Sequence, residues 1–331
     1  MVENHAVIVS TYNLYLPNTI LHLSVPFCSI CIFSFPYTVL LSLSTDYLLG
    51  RSGTTSYFIT SILFCEYGFS SFERNLLPFA SKNTTIVLYL KFLISKFMFK
   101  LDSRLMACAE FINSESIVDV GTDHAKLPIW LVKNRIIKYA FACDINKFSL
   151  EKSKKNIQKY DLDTKIEVFY SNGLSNVSEN IAETIVIAGL GGETIKNILK
   201  SCTWNEKDKK NKKFILQPTK YDHILRDFLS KNNFEIVKEK VVNQNKYNYT
   251  TMLCKFSGKN YKFNSLYNFL GKIPANKNSI EYVKKNIRYL EKFLFGAKMN
   301  KNIQYQNKIE DIILGLKKFI KICEENIDQN T

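Results

Sequence analysis

The segment SIVDVGTDHAKLPIWL, residues 116–131, holds the side chains of this sequence that are best suited to binding chemistry. Gly121 follows a short apolar run, and a glycine at such a turn lets the backbone approach a ligand closely. Asp119 and Asp123 place two carboxylates beside it, which favours an amine-bearing ligand and would repel a pyrophosphate. The segment also lacks the G-x-G-x-x-G spacing of dinucleotide sites. These residue types therefore predict a turn that binds an amine.

The Asp123-His124 pair also raises the question of a metal ion or of hydrolytic catalysis. A zinc site needs three or four ligands, and the three other histidines lie far away in the sequence. The single C-x-x-C, at Cys28 and Cys31, has no second pair. No G-x-S-x-G nucleophile elbow is present. We therefore expect no metal ion and no hydrolase triad.

A second acid and a glycine-rich segment follow at positions that suit a nucleoside ligand. Asp144 ends the next apolar run, 23 residues after Gly121, where a carboxylate accepts hydrogen bonds from the two hydroxyls of a ribose. A helix N-cap is the alternative role for Asp144. In YSNGLSNV, Asn172 and Gly173 are placed to meet an adenine edge. The three glycines of IVIAGLGGETI keep another wall low, so that a flat base can approach the ligand.

Alternating strands and helices must position these residues. Five short runs are predicted as strands, at residues 117–121, 139–144, 165–170, 184–190 and 213–217. Helical patterns separate them, which indicates a parallel sheet with helices on both faces. Two more runs, FEIVKEKVV and YNYTTMLCKF, predict an antiparallel hairpin. The predicted fold is α/β: a Rossmann-like class I methyltransferase sheet of five parallel strands plus a C-terminal antiparallel hairpin.

The C-terminal segment, residues 259–331, changes to apolar residues at alternating spacings of three and four. This pattern predicts two helices folded back on each other as a coiled-coil hairpin. The outer face carries lysines and arginines, and it is either a solvated face or a contact for a phosphate backbone. The first 97 residues hold only five basic and four acidic side chains, so the net charge of +15 lies almost wholly beyond them. This distribution points to a polyanionic partner, although a lysine-rich composition from an AT-rich genome would also produce it.

Residues 1–97 read differently from the rest of the chain. No Lys, Arg, Asp or Glu occurs between Glu3 and Asp46, and the apolar stretch at 20–44 is long enough to cross a bilayer. Three interpretations stay open: translation from upstream of a true start at Met98, a membrane-anchoring extension, and a soluble domain. Contact with a membrane is expected only if this segment belongs to the native protein.

The motifs DVGTDHAKLP, ACDI, IAGLGG and FILQP, preceded by LDSRL, resemble those of the bacterial tRNA adenine-22 N1-methyltransferases. The resemblance covers about residues 98–327, and two of its strings, D-x-G-[ST]-D-H-A-x-L-P and I-A-G-x-G-G, are fairly specific. It implies methyl transfer from S-adenosylmethionine to N1 of an adenine in tRNA. The implied domains are a methyltransferase domain at 98–258 and the helical hairpin at 259–331, after the extension 1–97. The scattered cysteines fit a reducing compartment, so a cytoplasmic location is expected.

The resemblance also implies roles residue by residue. The implied cofactor-binding residues are Asp119, Gly121, Asp123, His124, Leu127, Pro128, Asp144, Ile145, Asn172, Gly173, Ala188 and Gly189. The implied methyl-transfer residues are Asp123, Leu190 and Gly191. Contacts with tRNA are implied for Lys100, Arg104, Gln217, Lys284 and Arg288. Four positions depart from the family. Leu190 stands where Met is usual, a volume-conserving exchange, and Asn172 replaces Asp. Lys126 stands where an aromatic residue is common, and Thr250 stands where an acid is common.

The implied reaction needs no strong general base, because adenine N1 carries an available lone pair. Catalysis would come mainly from placing N1 in line with the methyl group, with the base turned out of its stack. Asp123 would either steer the base or hold the cofactor. The alternative function is a non-catalytic RNA-binding protein that kept the fold, and a small-molecule methyltransferase is the third. The intact set of Asp119, Gly121 and Asp144 favours an enzyme.

Overall fold

A computed structural model of the chain describes residues 100–328 except 246 and 262, together with the backbone of four earlier strands. The chain divides into two units, residues 1–94 and 95–331. In the first unit the described strands pair antiparallel in chain order: β1 Thr19–Val25, β2 Cys28–Phe35, β3 Thr38–Thr45 and β4 Ile59–Leu63.

The predicted alternatives for the first 97 residues fall on a segment that lies mostly outside the described residues. All three, including the upstream start, stay predictions. Within the part of the chain that the structure describes, no helix combines the length and the apolar character that crossing a membrane requires.

The described residues of the second unit form one seven-stranded sheet. Its strands are β5 Ser116–Val120, β6 Tyr139–Asp144, β7 Ile166–Tyr170, β8 Thr184–Leu190, β9 Lys213–Pro218, β10 Phe234–Gln244 and β11 Tyr247–Phe256. The order across the sheet is β10-β11-β9-β8-β5-β6-β7. Strands β5 to β9 pair in parallel, while β10 and β11 are antiparallel to their neighbours. The predicted fold class is confirmed. Each predicted strand is present, and its ends differ from the expected ones by no more than two residues.

Helices cover both faces of this sheet. In the described residues they are α1 Ser103–Ala109, α2 Lys126–Lys133, α3 Lys147–Lys159, α4 Gly192–Lys200, α5 Glu206–Lys210, α6 Asp222–Lys231, α7 Ser265–Leu270, α8 Lys277–Met299 and α9 Ile303–Asp328. Along β8, Ile185 and Ile187 enter the apolar core of one face, while Val186 enters the core of the other. Burial on both faces explains why β8 reads as a continuous apolar run.

The last two helices, α8 and α9, fold back on each other across a short turn. Lys298 near the end of α8 lies 3.5 Å from Glu310 in α9. Gln306 Nε2 donates to the Ala297 carbonyl at 3.1 Å, close to the same turn. Contacts between the end of one helix and the start of the next confirm the predicted helical hairpin.

A buried charge network joins this hairpin to the sheet. Arg226 is fully buried and donates from Nε and Nη2 to Glu239 Oε1 at 3.1 and 2.6 Å. Its Nη2 also donates to the Tyr282 hydroxyl at 2.7 Å, and Nη1 donates to the Asn268 carbonyl at 2.8 Å. Tyr282 in turn donates to Asp222 Oδ2 at 2.5 Å. Since these groups come from α6, β10, α7 and α8, one guanidinium connects four elements.

Candidate active site

A cavity of about 360 Å³ opens at the carboxyl ends of β5, β6 and β8. Its volume falls in the range of about 300–1,000 Å³ that is usual for small-molecule sites. The order of the sheet reverses at β5, which is where open α/β sheets bind ligands. The lining residues are Asp102, Arg104, Leu105, Asp119, Gly121, Thr122, Asp123, His124, Lys126, Leu127, Asp144, Ala188, Gly189 and Leu190.

The turn after β5 forms one wall of the cavity and is held by the neighbouring strand. The backbone N–H groups of Gly121 and Thr122 both donate to the Cys143 carbonyl, at 2.8 and 3.0 Å. Gly121 has φ +80°, and a Cβ there would lie 3.2 Å from Leu190 Cδ1. The left-handed backbone and the tight approach together explain why this position is a glycine.

Asp119 is a buried acid at the base of this wall. Its side chain is only 7% exposed, and it makes no ion pair among the described residues. Burial, helped by the negative charge of Asp144, raises the pKa of Asp119 to about 6, and the Thr122 hydroxyl opposes this shift. A cation that entered the cavity beside Asp119 would relieve this cost, because an opposite charge favours the ionised acid.

Asp123 and His124 continue the same wall toward solvent. His124 Nε2 lies 3.1 Å from Asp123 Oδ2, and the Asp123 side chain is 69% exposed. Ser149 Oγ donates to Asp123 Oδ1 at 3.4 Å, and Asn156 Nδ2 donates to the His124 carbonyl at 3.0 Å. Helix α3 therefore orients both residues, while the Asp123 carboxylate stays accessible at the edge of the cavity.

Asp144 ends β6, the strand next to β5, and lines the same cavity. Its Oδ1 accepts a hydrogen bond from the Asn146 backbone N–H at 2.7 Å, and burial raises its pKa. The cap of α3 is Asn146, whose side chain accepts from the Phe148 N–H at 2.9 Å. Because Asn146 occupies the capping position, the Asp144 carboxylate can face the cavity.

The wall at the end of β8 is supported by β9. Gly189, with φ +78°, donates its N–H to Gln217 Oε1 at 3.1 Å, and Gln217 Nε2 donates to the Pro218 carbonyl at 2.9 Å. The Thr219 N–H donates to the Leu190 carbonyl at 2.8 Å. Gln217 is fully buried and both ends of its amide are used inside the protein. Gln217, which the sequence predicts to contact tRNA, therefore lies inside the protein and supports Gly189.

Five other expected site residues lie outside the lining of the cavity. Pro128 is buried in the first turn of α2, where the missing N–H of proline costs nothing. Ile145 is 55% exposed beside Asp144, and Asn172 is exposed after β7. Gly173 faces α4, since a Cβ there would lie 3.0 Å from Ile198. Gly191 caps α4.

The expected tRNA-binding residues lie in different places. Arg104 lines the cavity, where Nη1 is 3.7 Å from the position of a Gly189 Cβ. Lys100 lines a separate groove between α1 and β10, and Lys284 and Arg288 are exposed on α8.

The structure also identifies a residue that is not among the expected site residues. Tyr249 of β11 packs against Arg104, with 5.5 Å from Cζ to the ring centroid, while Asp102 Oδ2 accepts from Arg104 Nη2 at 2.9 Å. Asp102 is the N-cap of α1, accepting from the backbone N–H groups of Arg104 and Leu105. Tyr249 and Arg104 are 145 residues apart in the sequence, and no local signal predicts their contact. Among the described residues, no cluster of His, Cys, Asp and Glu could hold a metal ion.

Comparison with known proteins gives this site its context. A family model described as a methyltransferase domain matches residues 101–252. A tRNA (adenine(22)-N(1))-methyltransferase of Bacillus subtilis is 32% identical over 146 residues, which make up 44% of this chain and 60% of that protein. The structure of M. capricolum TrmK in complex with S-adenosyl-homocysteine is 31% identical, has a TM-score of 0.55, and covers 67% of this chain and 99% of its own.

A further solved structure agrees in fold. The B. subtilis m1A22 tRNA methyltransferase TrmK has a TM-score of 0.59 at 24% identity and covers 67% of this chain and 99% of its own. The sheet order, the cavity at its switch point and the matching domain define the class as a methyltransferase with a Rossmann-like fold. Within that class, the chain belongs to the family of bacterial tRNA (adenine-22-N1)-methyltransferases.

Proposed function

We propose that this chain transfers a methyl group from S-adenosylmethionine to N1 of an adenine in tRNA, adenine 22 being the position named for its B. subtilis relative. One observation carries the proposal: a single cavity is lined by the buried acid Asp119, which has no ion partner among the described residues, by the acid Asp144 at the end of the neighbouring strand, and by the glycines Gly121 and Gly189. When bound, S-adenosylmethionine supplies an electrophilic methyl group on a positively charged sulfur.

The residues present fit this cofactor. Asp119 is buried without an ion partner among the described residues, so it suits the ammonium group of the methionine part. The free face of Asp144 suits the two ribose hydroxyls. Leu190 and Gly189 border the space that remains for the adenine of the tRNA. The chain therefore has side chains to hold both reactants at one cavity.

The base is methylated without prior removal of a proton, so the side chains need only to position it. Asp123 is exposed at the edge of the cavity and is held by His124 and Ser149. Its carboxylate can accept a hydrogen bond from the exocyclic amine of adenine, which would turn N1 toward the methyl group. Alignment of this kind is worth up to about 7–11 kcal/mol in well-oriented reactions.

Arg104 is proposed to bind the carboxylate of the methionine part, in place of the tRNA contact expected from the sequence. Its guanidinium lies against Gly189 and is fixed by Asp102 and Tyr249. The reaction moves one positive charge from sulfur to the adenine ring. A guanidinium that pointed at the line between the sulfur and N1 would repel this positive charge both before and after the transfer. Beside the methionine carboxylate, the guanidinium is instead stabilising.

The full chain is expected to form 1-methyladenosine in unmodified homologous tRNA supplied with S-adenosylmethionine, as measured by mass analysis of the digested nucleosides. A tRNA with guanine at position 22 should remain unmodified. Asp144→Ala should lower cofactor affinity by about 100-fold or more, because two charge-assisted hydrogen bonds are lost at about 1.5–3 kcal/mol each. The exposed Asp163→Ala serves as the control. Normal cofactor binding without methylation of any tRNA would support the non-catalytic alternative instead.

Arg104→Gln is expected to weaken S-adenosylmethionine binding by about 10- to 150-fold, the value of a hydrogen bond between charged groups. Its affinity for decarboxylated S-adenosylmethionine should stay unchanged, since that ligand lacks the proposed partner. Calorimetric titration of both ligands measures the difference, with the exposed Lys138→Gln as the charge-matched control. The opposite result would be a lower tRNA affinity in Arg104→Gln with an unchanged preference for S-adenosylmethionine over its decarboxylated form. That result would show that Arg104 contacts RNA and not the methionine carboxylate.

A further inference from the structure

Four aromatic rings form a continuous line from the end of β9 to the outer part of α8. Tyr221 and His223 lie with ring centroids 6.3 Å apart, and His223 lies 5.3 Å from Tyr289. Tyr289 lies 4.8 Å from Phe293, one helical turn further along α8. We call these four rings the ring path.

The ring path begins beside Gly191 and Gly192, which follow the cavity residues Gly189 and Leu190. The Lys220 carbonyl accepts the Gly192 N–H at 2.8 Å, and Lys220 Cε lies 3.6 Å from the position of a Gly191 Cβ. Tyr221 follows with φ +58°, a left-handed conformation that is uncommon for a bulky residue. The Tyr221 carbonyl lies directly against the position of a Gly192 Cβ, so Tyr221 is close to the segment that follows the cavity residue Leu190.

Packing alone accounts for the middle of the ring path and not for its ends. His223 is 19% exposed and stacks on Phe269 at 4.7 Å with an interplanar angle of 12°. The two end rings are open: Tyr221 is 39% exposed and Phe293 is 43% exposed. A core contact would bury these rings, so their exposed faces are available to a partner.

The buried charge network around Arg226 and Asp222 also contacts His223. Although burial opposes it, the hydrogen bond with His223 and the charge of Arg226 hold the pKa of Asp222 well below its ordinary value. Asp222 Oδ1 accepts the His223 backbone N–H at 3.1 Å and lies 3.9 Å from the ring Nδ1, so Asp222 and the stacked Phe269 ring together hold His223 in place. A rigid aromatic surface loses little conformational entropy on binding.

The charges beside the ring path indicate what the partner is. Arg288 and Lys292 precede Tyr289 and Phe293 by one residue each, so they flank these rings on the exposed side of α8. The groove between α8 and α9 has mixed charge, since Glu291, Glu310 and Asp311 line it together with Lys317. A polyanion is therefore attracted to the flank that carries Arg288 and Lys292.

We propose that the ring path is a stacking surface for unpaired nucleotides of the substrate tRNA, next to the adenine that enters the cavity. Bases stack on aromatic side chains without strong sequence preference, and lysines and arginines beside the rings neutralise the phosphates. This inference rests on the proposed function. It adds a binding surface that connects the helical hairpin to the cavity.

The test compares three substitutions of Phe293 in the full chain. Phe293→Leu keeps an apolar side chain for packing and removes the ring, so tRNA affinity should fall at least about five-fold. Phe293→Tyr keeps the ring and should bind tRNA as the parent does. Tyr139→Ala, an exposed tyrosine at the amino end of β6, is the control and should have no effect. Fluorescence anisotropy with labelled tRNA gives the affinities.

The salt dependence separates stacking from phosphate contacts. Phe293→Leu should lower tRNA affinity at every salt concentration with an unchanged slope, whereas Arg288→Gln should reduce the slope by about one. Cofactor affinity should be unchanged in both variants. If Phe293→Leu binds tRNA as tightly as the parent while methylation continues, the ring path does not stack nucleotides. If the parent chain itself methylates no tRNA, the proposed function is wrong.

Discussion

Replacing Arg226 with methionine is expected to lower the free energy of unfolding by about 3–5 kcal/mol, the usual cost of removing one partner from a buried ionic network. Arg226 is fully buried and contacts Glu239 and Tyr282. Without the guanidinium, the Glu239 carboxylate stays buried and loses its ion pair. Its other neighbours are the Lys272 N–H, which donates a hydrogen bond to it, and Gly271. Urea unfolding followed by circular dichroism measures the change.

A matched control and a local readout make this prediction specific. Lys231→Met, in the same helix, removes an exposed pair with Asp227 and should change stability by less than about 1 kcal/mol. Hydrogen exchange in α8 should accelerate in Arg226→Met, because the network attaches the helical hairpin to the sheet. A loss of stability equal to that of Lys231→Met would show that the network contributes little.

Replacing Asp119 with asparagine is expected to stabilise the cofactor-free protein and to abolish tight cofactor binding. The folded pKa of about 6 lies above the ordinary value of 3.8, so the folded state holds a proton that the unfolded state has released. The unfolding free energy therefore falls as pH rises from about 4 to 6 and stays lower above that range. Asparagine removes this fall, which corresponds to about 3 kcal/mol at neutral pH.

The measurements are unfolding curves at several pH values and cofactor titrations. The stability difference between Asp119→Asn and the parent should be small near pH 4 and largest above pH 6. The parent should bind S-adenosylmethionine more weakly below pH 6, where Asp119 takes up a proton, and the variant should bind weakly throughout. If Asp119→Asn is less stable than the parent at pH 7.5, burying the ionised Asp119 carboxylate does not destabilise the folded protein, and the prediction is wrong.

Much of the fold could be predicted because its patterns are local. The five parallel strands of the second unit are short apolar runs, and each is bounded by turn residues. Asp144 was expected at the end of β6 because the apolar run ends there. The predicted roles of Gly173 and Gln217 show the limit: neighbours distant in sequence, Ile198 for Gly173 and Gly189 for Gln217, decide which way each residue faces.

The family, the class of fold and the first wall of the cavity were determined by the sequence itself, since adjacent residues carry the motif around Gly121. Other expectations stay predictions: the interpretations of residues 1–97, the domain boundaries at 98–258 and 259–331, and the cytoplasmic location. The tertiary structure alone decided that Arg104 meets Tyr249 at the cavity and that the rings of α8 lie next to those of Tyr221 and His223. The physical reason is distance along the chain: strand pairing and helix docking bring these groups together, and no local spacing encodes contacts across 60 to 150 residues.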